Sequence, residues 1–184
     1  MTEKFTREGL PILTMNVVDS LEHEKQNSKD FRGYIFKKLE EICQENPVYG
    51  NLIKNVSAEN YPPQTEGLEI SNFVLGYFLL KTQASFNDDA IPILTKEVLA
   101  EHANEMVPFD PVTRLPDVEK YSEVYQNWFN EIDSENSLYA SFIISQAEYF
   151  QYNYGLHQEI LVDLVNMYIL LKKQAQRNNQ EKRN

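Results

Sequence analysis

Along most of the chain apolar residues recur every three or four positions between polar ones, the period of helices with one buried face. Leu10, Leu13, Val17, Val18 and Leu21 form one such stripe, and Phe31, Tyr34, Ile35, Leu39 and Ile42 form another. Two segments depart from this pattern. Tyr77-Phe78-Leu79-Leu80-Lys81-Thr82-Gln83-Ala84 and Tyr168-Ile169-Leu170-Leu171-Lys172-Lys173-Gln174-Ala175 are apolar almost without interruption, and six of their eight positions are identical. A helix that is apolar on several sides is buried on several sides, so each copy is expected at the centre of a packed unit.

Breakers and caps divide the chain into about eight helices. Gly9-Leu10-Pro11-Ile12-Leu13-Thr14 opens the first, with Pro tolerated in the opening turn, and it fades by Gln26-Asn27. Ser28 or Asp30 caps the second, and Asn46-Pro47 ends it and starts a short third that reaches about Val56. Pro62-Pro63 cannot sit inside a helix, so the fourth begins near Gly67 and runs to Ser85. Asp89 is a cap for the fifth, three prolines make 107–116 an ordered loop, and Asp117 starts the sixth. The seventh ends at Tyr154-Gly155, and the last spans Leu156 to about Gln176.

The two halves echo one another in order. Pro11-Ile12-Leu13-Thr14 returns as Pro92-Ile93-Leu94-Thr95 at an offset of 81. Glu45-Asn46 and Tyr49 return as Glu135-Asn136 and Tyr139 at 90, and the Leu-Leu segments at 91. The Pro-rich insertion supplies the extra residues. Two copies are too few for an open solenoid, so the expected architecture is all-α, two tandem four-helix repeats around a shared core with pseudo-twofold symmetry. The expected boundaries are a disordered lead at 1–8, repeat one at 9–86, repeat two at 87–177 and a basic disordered tail at 178–184, with both repeats forming one globular domain.

Charge narrows the range of partners. The formal net charge of -11 opposes non-specific affinity for nucleic acid or anionic lipid, although Lys172, Lys173, Arg177, Lys182 and Arg183 make the C-terminal end basic. A reading helix at Val48 to Val56 would offer only Lys54 to DNA, so direct nucleic-acid binding is not expected. The lone Cys43, the absence of an apolar leader and the lack of a membrane-length run predict a cytoplasmic setting without disulfides.

No residue pattern names a reaction. The glycines are too scattered for a phosphate loop, and no Glu-x-x-His suited to a bundle metal site occurs. His102 shares a stripe with Leu94 and Val98, with Glu101 beside it and Glu105 one turn on, which makes His102 and Glu105 a weak metal or acid-base candidate beside the plainer reading of a structural histidine. No cofactor is expected.

Aromatic residues are the clearest surplus. Tyr121, Tyr125, Trp128 and Phe129 fall on one helix, and Tyr149, Phe150, Tyr152 and Tyr154 spread too far around the next to share one buried face. Tyr125, Trp128, Tyr149, Tyr152 and Tyr154 are therefore the candidate binding residues. The expected function is that of a non-enzymatic acidic protein, monomer or homodimer, which binds another macromolecule, a protein, as a regulator, adaptor or inhibitor. The alternatives are a small apolar or aromatic ligand held between the repeats, and a DNA-mimicking inhibitor built on the acidic stretch from Asp88 to Glu135.

Overall fold

The two Leu-Leu segments lie inside the longest buried runs of a computed structural model that describes residues 4–62, 65, 67–106 and 118–183. Among the described residues the fold is all-α. Its helices are α1 (Met15–Asn27), α2 (Phe31–Glu45), α3 (Pro47–Asn60), α4 (Leu68–Phe86), α5 (Lys96–Met106), α6 (Val118–Glu135), α7 (Ser137–Tyr154) and α8 (His157–Glu181). None of them is long and apolar enough to cross a membrane.

Local chemistry sets several of the ends. The Asp30 carboxylate accepts a 2.9 Å bond from the Gly33 N–H and caps α2, and Pro47 starts α3 at a position whose N–H would have no helical partner. α7 stops at Gly155, which turns left-handed at φ 71° while its N–H bonds the Gln151 carbonyl, a conformation that a side chain would strain.

Where expectation and structure differ, long-range bonds are the cause. The first helix begins at Met15, not at Gly9, because Pro11 to Thr14 are extended and held by distant side chains. The Leu13 N–H and the Pro11 carbonyl bond the Asn136 amide, and the Thr14 N–H bonds Gln83. The fifth helix likewise starts late, at Lys96, and α3 runs on to Asn60. The lead expected to be disordered is tied down from residue 4: Phe5 bridges to Pro11, and Glu8 lies 3.3 Å from Lys172. Helix α8 extends through the expected basic tail to Glu181, where Asn179 donates a 2.9 Å bond to the Glu8 carbonyl. The Pro-rich stretch 107–116 and the cap at Asp117 lie outside the described residues.

Every residue of 71–80 in α4 and of 163–172 in α8 is buried. The first packs against α1, α2, α3, α7 and α8, and the second against α4, α5, α6 and α7, which explains why neither has a polar face. Each buried leucine among them contributes roughly 1.5–3 kcal/mol through burial, so truncating Leu80 or Leu171 to Ala should cost about 2–5 kcal/mol.

Bonds and ring contacts recur at the offsets of the sequence echoes. Asn46 bonds Pro92 and Leu94 as Asn136 bonds Pro11 and Leu13. The Thr14 and Thr95 N–H groups bond Gln83 and Gln174. The ring pairs Tyr49–Tyr77 and Tyr139–Tyr168 have centroids 5.0 and 4.8 Å apart. Lys81 meets Glu45, and Lys172 meets Glu135, each at 2.5 Å.

Candidate functional site

Three helices of the second half leave an open groove of about 590 Å³. Tyr121, Tyr125 and Phe129 stand one turn apart along α6 and form one wall, with Ser122 and Gln126 beside them. Ile144 of α7 and His157, Gln158, Leu161 and Val162 of α8 complete it. The side chains are mostly apolar, and amide, hydroxyl and imidazole groups sit among them.

Tyr125 joins this groove to a buried polar centre. Its ring lines the groove, and its hydroxyl donates a 2.9 Å bond to Asn166 Oδ1, which also lies 3.2 Å from His102 Nε2. An amide oxygen only accepts, so His102 Nε2 carries a proton. His102 is 1% exposed, and its Nδ1 has no partner. Burial, with the nearby Lys173 charge second, lowers its pKa to about 4. Trp128 stacks on the imidazole with ring centroids 5.0 Å apart and meets Tyr125 edge-on at 5.3 Å.

A second buried polar group joins α3, α4 and α8. The Tyr61 hydroxyl donates a 3.0 Å bond to Asp163, and Ser57 donates to Glu69. Burial first, then the charges of Asp163, Glu69 and Glu159, pushes the Tyr61 phenol far above its ordinary range, so it serves as a neutral donor.

The candidate residues therefore separate into two places. Tyr125 and Trp128 come together under the groove. On the outside of α7, Tyr152 is 90% exposed and Tyr149 is 48% exposed, while Tyr154 is half-buried against Phe150. His102 and Glu105 do not pair, since Glu105 is exposed and bonds Lys173. Among the described residues no group of three or more His, Cys, Asp or Glu side chains is placed to hold a metal ion. Cys43 is half-buried against α3, where a Cβ on Gly50 would come within 2.6 Å of its sulfur.

Of the groove's three rings, only Tyr125 is among the binding residues expected from the sequence; Tyr121 and Phe129 are not. A signal for the groove exists in the sequence. From Tyr121 to Leu171 the chain contains Glu123, Glu131, Asp133, Glu135, Glu148, Glu159 and Asp163 and no Lys or Arg. A smaller groove of about 400 Å³ lies between α2, α3 and α4, where Phe36, Leu39, Lys54 and Ile70 take the places of Gln126, Phe129, Ile144 and Leu161. It carries a lysine where the larger one carries isoleucine.

Comparison with protein-family models, with curated proteins and with solved structures finds no match to this chain.

Proposed function

We propose that this is a non-enzymatic binding protein, a small regulator, adaptor or inhibitor, which docks a segment of another protein in the α6–α7–α8 groove. The observation that supports this most is the groove: Tyr121, Phe129, Leu161 and Val162 are only partly buried and adjoin one another. Adjoining part-exposed apolar side chains with polar groups among them offer a partner both contact area and hydrogen bonds. The paired Asn46 and Asn136 bonds support, beside this, a tandem duplication closed about a pseudo-twofold axis.

A pull-down from host lysate with three forms of the full chain tests the reading. Wild type and Tyr152→Glu should retain one specific partner, and Leu161→Glu should lose it while melting within a few degrees of wild type. Retention by Leu161→Glu would move the site away from the groove, and loss by Tyr152→Glu alone would move it to the outer face of α7.

A second reading, a small apolar or aromatic ligand, is favoured by the groove volume, which falls within the roughly 300–1,000 Å³ typical of ligand sites. The groove lies within the second half rather than between the halves. Such a ligand would raise the melting temperature of wild type by mass action and leave Leu161→Glu unchanged.

A further inference from the structure

We infer that the segment docked in the α6–α7–α8 groove is a basic amphipathic helix of a protein partner. This rests on the reading of the groove as a docking site and adds the shape and charge of its occupant.

Shape follows from length and from what borders the groove. Along α6 the lining runs from Tyr121 to Phe129, eight helical rises or about 12 Å. Apolar anchors at i, i+4 and i+7 of a docked helix span about 10.5 Å, so two turns present three anchors to Tyr121, Phe129 and Leu161. A peptide docking as an added strand would need a sheet edge to supply main-chain partners, and the walls of this groove are all helices.

Charge follows from the helix segments that build the groove. Glu123 sits on α6 beside Ser122, Glu148 one turn beyond Ile144 on α7, and Glu159 beside Gln158 on α8, all exposed. Of the other acids of this stretch, Glu131 and Glu135 hold Lys172 and Asp163 is buried. Lys120, just before the first lining residue, is the one basic residue of α6, and α7 has none. A groove built from segments that carry exposed carboxylates and no Lys or Arg, with a net charge of -11 behind it, attracts a helix with Lys or Arg flanking its apolar stripe and repels an acidic one.

The chain's single tryptophan supplies the readout, because Trp128 packs on Tyr125 and Tyr125 lines the groove. Three Trp-free synthetic peptides of about four turns would be titrated into the full chain: a Leu/Lys amphipathic helix, its Leu/Glu counterpart, and a scrambled Leu/Lys peptide with no apolar face. The Leu/Lys helix should shift Trp128 emission and bind at least about tenfold tighter than either control. Glu123→Lys, Glu148→Lys and Glu159→Lys combined should weaken it by at least about tenfold and strengthen the Leu/Glu helix, with an unchanged melting temperature.

Equal binding of the Leu/Lys and Leu/Glu helices, both abolished by Leu161→Glu, would overturn the charge inference and leave the docking site standing. Equal binding of the scrambled peptide, or indifference to Leu161→Glu, would mean diffuse attraction to an acidic body and would overturn the inference. Failure of every peptide to bind would overturn both the inference and the protein-docking reading on which it rests.

Discussion

Asn46 and Asn136, ninety positions apart, each grip the extended segment that leads into the first helix of the opposite half. Both stand at helix N-caps, where asparagine ordinarily accepts a bond from its own first turn. Neither does so here. Each amide instead donates to one buried proline carbonyl and accepts from one buried leucine N–H, at 3.0–3.1 Å. Replacing either with Ala leaves two backbone groups without partners in the core. Each such group costs about 1–3 kcal/mol, so Asn46→Ala and Asn136→Ala should each lower unfolding free energy by roughly 2–6 kcal/mol. Urea titration of both variants checks this, and a loss under about 0.5 kcal/mol in either would show that water satisfies the freed groups.

Lys172 and Lys81 occupy matching places and should respond very differently to removal. Lys172 is 3% exposed, with its ammonium 3.3 Å from Glu8, 2.8 Å from Glu131 and 2.5 Å from Glu135. Burial alone lowers its pKa, but the bonds to Glu131 and Glu135 outweigh this and hold it above the ordinary lysine range. Lys172→Met strands two mostly buried carboxylates, Glu8 and Glu135, and should cost about 3–5 kcal/mol, whereas Lys81→Met breaks one half-exposed pair and should cost about 1 kcal/mol or less. Burial already raises Glu135, and removing Lys172 raises it further. A group with a raised folded pKa loses its stabilisation as pH rises, so Lys172→Met should regain part of its deficit as pH falls through the carboxylate range. Denaturant midpoints at two pH values would decide it.

The difference between these two lysines was not legible in the sequence, although the pairing of their segments was. Buried helices announce themselves by having no polar face, and α4 and α8 were expected where they lie. The late start of α1 was hidden because Leu10, Leu13 and Val17 have helical spacing and are all buried, yet an extended strap buries Leu10 and Leu13. Its conformation depends on Asn136, over a hundred residues away. The contact between Glu8 and Asn179, at opposite ends of the chain, likewise exists only in three dimensions. The groove escaped because aromatic rings at core spacing look alike whether a neighbour covers them or not. What the sequence does show is that the stretch from Tyr121 to Leu171, which supplies every lining residue, has no Lys or Arg.

His102 should make the fold sensitive to acid. Its neighbours are the Asn166 amide, Tyr125, the Trp128 ring and the Lys173 ammonium, with Glu105 bonded to that lysine on the exposed side. A folded pKa of about 4 against an unfolded value near 6.5 means that the unfolded chain takes up the proton first. The stabilisation is complete above about pH 6.5, declines as pH falls toward 4, and its loss amounts to about 3 kcal/mol. His102→Gln should be less stable at pH 7 and show a flatter profile between pH 6.5 and 4. Parallel profiles would mean that other groups carry the acid response.

Gly76 and Tyr139 meet where α4 crosses α7, and their contact limits how close the halves can come. A Cβ on Gly76 would lie 2.8 Å from the Tyr139 hydroxyl and 3.3 Å from the Phe142 ring edge. Helix propensity alone would make Gly76→Ala favourable by about 1 kcal/mol. Tyr139 is fully buried between the Tyr168 and Phe142 rings, 4.8 and 5.7 Å away, and has little room to retreat. Overpacking of this kind costs about 1–3 kcal/mol, so the net effect of Gly76→Ala should be destabilising. Tyr139→Phe removes the oxygen that the new methyl would strike. In the Tyr139→Phe background Gly76→Ala should become neutral or stabilising, a coupling of at least about 1 kcal/mol in a double-mutant cycle. Additive effects would show that α4 and α7 separate freely, and that the close approach of the helices does not depend on the glycine.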